Sequence, residues 1–149
     1  MKTNISTDNL QSQRLLRCGV AADTADMYYL VDTLHIGPSF SDVWQNKPKD
    51  LEPAWSLSAL FGLLPKEIDI DGYPYRISIY FESPDEPVIG NQWCLYYKPK
   101  KNTEKSHRID DVPMYATDLI ECAVLMVEWL YNHGYKLNDC PCREKGGQQ

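Results

Sequence analysis

The residues from Tyr73 to Glu82, YPYRISIYFE, limit the possible folds more than any other part of the chain. Tyr73, Tyr75, Ile77, Ile79 and Phe81 alternate with Pro74, Arg76, Ser78, Tyr80 and Glu82. A period of two sustained over ten residues describes an extended strand with one buried and one wet face, because successive side chains leave a strand on opposite sides. The turn-forming stretch SPDEPVIGN follows, and Gln92 to Lys98 then returns as a second strand. Its inward positions are Trp93, Leu95 and Tyr97, and its outward ones Gln92, Cys94, Tyr96 and Lys98. The two strands form an antiparallel hairpin, with Pro99 closing the ladder.

One greasy sheet face needs a cover. The best cover is a helix near the C-terminus, in which Leu119, Ile120, Ala123, Val124, Val127, Leu130 and Tyr131 make an apolar stripe. Glu121, Glu128 and Asn132 lie opposite the stripe. Asp118 with Glu121 has capping-box spacing, a start nearer Pro113 is the alternative, and Gly134 suits the residue after the C-cap. A shorter helix is written in EPAWSLSALFGLLPKEI: Ser56 caps it, Trp55 and Leu60 are spaced as a hydrophobic staple, and Pro65 stops it at Leu64. The staple makes Trp55 a piece of scaffold rather than a ligand platform.

Near the N-terminus, Thr7 or Asp8 can cap a helix, and Asp8 with Gln11 has capping-box spacing; the helix is expected to bury Leu10, Leu15, Leu16 and Cys18 and to end at Gly19. AADTADMYYL predicts another short helix capped by Asp23 or Thr24, and Tyr28 to Ile36 one extended strand. Gly37 to Pro53 is turn-rich, with Phe40, Val43 and Trp44 packing it down. At 149 residues and 43% hydrophobic content, the chain has the size and the apolar mass of one domain with its own core. The expectation is an α+β fold over residues 1–137: a small antiparallel sheet of two to four strands with helices packed mainly on one face. Residues 138–149 are expected to form a disordered tail.

Three segments, QSQRLLRCGV…TADMYYL, PAWSLSALFGLLPKEI and ATDLIECAVLMVEWLYNHGY, occur in that order. Together they resemble a family of small uncharacterised proteins from phages and mobile elements of gut bacteria. The stretches at Gly37–Asp50 and Lys98–Asp111 are longer than that family would have them. The resemblance implies a genomic setting, that of an accessory protein of a phage or integrated element. It carries over no activity and no functional residues.

Tests for catalytic and metal chemistry all end in a structural reading. EIDIDG (Glu67 to Gly72) imitates the start of a calcium loop, but the twelfth position is Ser78, so it reads as a solvated turn before a strand. Cys140 and Cys142 make one C-x-C pair, and with His35, His107 and His133 scattered no closed zinc site is written. Cys94 would need a nearby base to be a nucleophile, and only His107 could approach it. There is no nucleophile elbow, no glycine-rich phosphate loop and no zinc-protease motif. The expectation is therefore no catalytic residues, no metal and no cofactor.

No signal peptide and no apolar run long enough to span a bilayer is written, and the five cysteines lack the density of a disulfide scaffold. A cytoplasmic protein with no membrane partner is expected. The formal charge is −6, yet KPKKNTEKSHR (Lys98 to Arg108) carries five basic residues and one acidic, +4, which leaves −10 for the rest. The outward face of the hairpin and this basic stretch supply the candidate binding residues: Arg76, Tyr80, Tyr96, Lys98, Lys100, Lys101, Lys105 and Arg108. The leading reading is a non-enzymatic accessory protein that binds a host or phage protein. The alternatives are a single-stranded nucleic-acid binder using the same tyrosines and cations, and an acidic decoy that mimics DNA.

Overall fold

The structure is a computed structural model, and it describes residues 4–36, 51–82, 92–100 and 112–138. Among these it has three α-helices and seven strands in two antiparallel sheets. The α+β class and the placement of helices on one face of the hairpin sheet agree with the sequence. The second sheet is additional.

Helix α1 (Asn9–Arg17) starts from the expected capping box: the Asp8 carboxylate accepts from the Gln11 amide at 2.8 Å and Gln11 accepts from the Asp8 amide at 3.0 Å. Its buried face differs from the expected one. Gln11, Ser12, Leu15 and Cys18 turn inward, while Leu10 is 73% exposed and Leu16 also faces solvent. The reason lies in what the helix packs on, helix α3 (Leu119–Asn132). Arg14 reaches Glu121 at 2.7 Å and also pairs with Glu128, and Gln11 donates to Glu121 at 2.6 Å. The glutamates expected in water on α3 are therefore partly covered by α1, and these polar contacts set its rotation. Tyr131, expected in the buried stripe, is exposed instead.

Ala22–Thr24 is a single 3₁₀ turn rather than a capped helix. The single strand expected over Tyr28 to Ile36 is a hairpin, β1 (Met27–Leu30) and β2 (Thr33–Ile36), broken at Val31 and Asp32, both at positive φ. That is the two-residue turn whose twist suits a hairpin, although neither residue is a glycine. β3 (Leu51–Ala54) pairs with the other side of β1, and Pro53 sits on this edge strand, where a missing N–H is tolerated. Phe40, Val43, Trp44 and the rest of the expected loop lie outside the described residues or, from Leu51 on, inside β3.

Helix α2 (Leu57–Leu63) matches its sequence reading: Ser56 caps it by accepting from Ala59 N, and Leu64 turns extended before Pro65. The four-stranded sheet has the order β4 (Glu67–Ile70), β5 (Tyr73–Glu82), β6 (Gln92–Pro99), β7 (Val112–Ala116). Here the reading of Glu67 to Gly72 as a plain turn is corrected. Glu67 to Ile70 is a strand with Ile68 and Ile70 buried, and only Asp71–Gly72 turns, both at positive φ, as an Asp-Gly hairpin. A Cβ at Gly72 would meet nothing within 4 Å, so Gly72→Ala tests backbone strain alone; a loss of about 1–2 kcal/mol in urea unfolding is expected.

α3 begins at Asp118, which accepts from Ile120 N, so the alternative start near Pro113 is excluded: Pro113 lies in β7. α3 covers β6 and β7 and also meets α1 and α2. The buried core runs as one cluster from Leu15 to Leu137, with Trp55, Leu60, Tyr75, Leu95, Tyr97, Val124, Val127 and Leu130 at its centre. Asn138, assigned from sequence to the tail, is tied back: its amide donates to Leu63 O at 2.8 Å and its side chain to Leu64 O at 3.0 Å. The rest of that tail lies outside the described residues.

Candidate functional site

With α3 on one side of the four-stranded sheet, strand parity places Arg76, Ser78, Tyr80, Cys94, Tyr96 and Lys98 on the other. The register sets Tyr80, Cys94 and Tyr115 in one row across β5, β6 and β7, and Ser78 beside Tyr96 in the next. The row becomes a cluster. The Tyr80 and Tyr115 hydroxyls lie 3.5 Å apart, and Tyr96 meets Tyr80 edge to face, with centroids 5.3 Å apart and planes at 78°. Tyr80 is 39% exposed and Tyr115 45%, so the rings are fixed by one another while still open to solvent. Cys94, between them, is only 1% exposed. The Tyr80 hydroxyl is pushed well above the usual tyrosine range, first by its bond to Tyr115 and then by Cys94, so the phenol stays neutral.

One end of the same face carries charge. Glu67 accepts from Lys100 at 2.7 Å and from Arg76 at 3.3 Å. Lys100 first and Arg76 second hold its carboxyl below the usual range. Of the candidate binding residues, the structure thus gathers Arg76, Tyr80, Tyr96, Lys98 and Lys100 on one side of the sheet, with Arg76, Lys98 and Lys100 at one end of it. Lys101, Lys105 and Arg108 lie outside the described residues. Sequence reasoning missed Tyr115. Its strand, VPMYA, contains Pro113, which is compatible only with an edge position, and β7 is an edge.

The other face of the hairpin is not covered to its end. Ile79 and Phe81 stand on the α3 side by parity, but they are 43% and 46% exposed, and Phe81 packs edge to face on Trp93 at 4.9 Å. Aromatic side chains are therefore accessible on both sides of the far half of β5.

A depression of about 380 Å³ is lined by Asp8, Asn9, Leu10, Tyr29 and Asp32. There the Asp8 carboxylate caps α1 and the Tyr29 hydroxyl donates to Thr7 O at 3.1 Å, so both polar groups have structural tasks. Among the described residues, no group of three or more His, Cys, Asp or Glu is placed to hold a metal ion. Cys140, Cys142 and His107 lie outside the described residues. Cys18, Cys94 and Cys122 are buried cysteines. Burial pushes the Cys122 thiol up to about 11, and its Sγ donates to Trp93 O at 3.4 Å. Alkylation mapped by mass spectrometry at neutral pH is expected to leave Cys122 unmodified in the native protein and to modify it in denaturant. Because the folded pKa is the higher one, any stability linked to this thiol is present below its ordinary value of 9.0 and declines as pH rises from there towards about 11.

No family model, curated protein or solved structure matches the chain. No described helix is long and apolar enough to cross a membrane.

Proposed function

We propose that the outer face of the four-stranded sheet is a protein-docking surface, and that the chain acts without catalysis, as an accessory protein of a phage or mobile element that binds a host or phage protein. The observation that carries this reading is the Tyr80–Tyr96–Tyr115 cluster, half-exposed and fixed by its own contacts. Rigid tyrosines lose little entropy on binding and bring both apolar area and a hydroxyl, and with Arg76 and Lys98 beside them they have the composition of an interface hot spot.

Two details favour protein over single-stranded nucleic acid, the alternative reading. Base stacking needs a free flat ring, whereas Tyr80 and Tyr96 are turned edge to face and Tyr80 is joined to Tyr115 through its hydroxyl. Backbone binding needs available cations, whereas Arg76 and Lys100 share Glu67. The acidic-decoy reading gains nothing from this face, where among the described residues Arg76, Lys98 and Lys100 stand against Glu67.

The test starts with the immobilised chain and a lysate of cells that carry the gene, and continues with the recovered protein, purified and titrated. Tyr80→Ala with Tyr115→Ala is expected to weaken that binding by roughly 30-fold or more, the scale of one hot spot. Equal affinity of the double variant contradicts the proposal. So does a partner that proves to be a single-stranded oligonucleotide, with an affinity that falls steeply with salt and is abolished by Lys100→Glu with Lys101→Glu.

A further inference from the structure

β4 covers the outer edge of β5 only part of the way. It pairs with Tyr73 to Arg76, and the Ile77 amide still donates to Lys66 O at 3.0 Å. From Ser78 to Glu82, β5 has β6 on one side and no described strand on the other. The bond from Ile77 fixes the parity: odd residues of β5 direct N–H and C=O away from β6, and even ones towards it, as Pro74 O does in accepting from Lys100 N at 2.9 Å. The open half-edge therefore presents the backbone groups of Ile79 and Phe81. Residues 77 to 81, ISIYF, contain no charge, proline or glycine, the devices that normally blunt an edge.

We propose that this half-edge pairs antiparallel with its own equivalent in a second copy of the chain, about a two-fold axis at Tyr80. Two features favour a second copy over a foreign strand. Centring on Tyr80 uses all five open positions and sets Ile79 opposite Phe81 of the second copy twice, each as a hydrogen-bonded pair of the β-branched and aromatic kind that stabilises sheets. A centre at Ile79 would bring Phe81 against Ile77, where Lys66 already bonds, so β4 selects the register. The exposed Ile79 and Phe81 of both copies become one apolar strip.

Sedimentation of the full chain from about 1 to 100 μM is expected to show a monomer becoming a dimer, and Ile79→Lys or Phe81→Lys to weaken the association about tenfold or more. Both positions are exposed, so the variants should fold. Hydrogen exchange supplies the register: the Ile79 and Phe81 amides should gain protection as concentration rises, while Ser78 and Tyr80, which face β6, stay as they are. A chain that remains monomeric throughout overturns the proposal and leaves the edge to a foreign strand. A dimer unaffected by both lysine variants, or one without protection at Ile79 and Phe81, overturns it as well.

Discussion

Trp55→Ala is expected to destabilise the protein by about 3–5 kcal/mol, the usual cost of removing a buried tryptophan. Trp55 lies between β3 and α2 in the chain and is fully buried in the common core. Its indole N–H donates to Thr24 Oγ1 at 2.9 Å, and its own amide donates to Thr7 Oγ1 at 3.0 Å. Alanine keeps the second bond, loses the first and leaves a cavity bordered by rigid elements that cannot collapse into it. A loss of that size is a large share of the stability of a domain this long, so the urea midpoint should fall steeply with little change in slope. A loss under about 1 kcal/mol would mean that Trp55 is not the keystone it appears, and would reopen its use as a ligand platform.

Neighbouring positions on opposite faces of one sheet should give opposite results. Leu95→Ala, on the α3 side and fully buried, is expected to cost about 2–5 kcal/mol. Tyr80→Ala, on the adjacent strand and the other face, removes the hydroxyl's contacts with Tyr115 and Cys94 and one edge-to-face contact from a half-exposed site, so about 1 kcal/mol or less is expected. Chemical denaturation of both variants measures the contrast. If Tyr80→Ala were as costly as Leu95→Ala, the tyrosine cluster would be a second core rather than a surface held ready for contact.

How legible the fold was depended on how local its determinants are. The strand at β5 and the caps at Asp8, Ser56 and Asp118 are set by residues within a few positions of each other, and the structure keeps all four, but of the face expected to be buried only Tyr75 is fully so, while Tyr73, Ile79 and Phe81 are exposed. Glu67 to Gly72 reads as one solvated turn; the turn is there at Asp71–Gly72, but the short alternation of Ile68 and Ile70 with Glu67 and Asp69 shows itself as a strand only once β5 pairs with it. The rotation of α1 is different in kind. It depends on Arg14 meeting Glu121 and Glu128, more than 100 positions away, so the exposed Leu10 and Leu16 looked like core from their spacing alone. β7 was obscured by Pro113, which reads as a strand breaker until the strand is known to be an edge. For the site, parity placed Arg76, Tyr80, Tyr96 and Lys98 together; that Cys94 would be roofed by Tyr80 and Tyr115 required the third strand.

The central claim is that one sheet face holds the molecule together and the other meets a protein. Hydroxyl-radical footprinting of the chain, free and with the partner recovered from lysate, tests it most directly. Strong protection of Tyr80, Tyr96 and Tyr115 in the complex, with exposed Leu10 and Leu16 on α1 reacting as before, is the result this account predicts. Unchanged reactivity of those three rings, with the protection falling on α1, would contradict it.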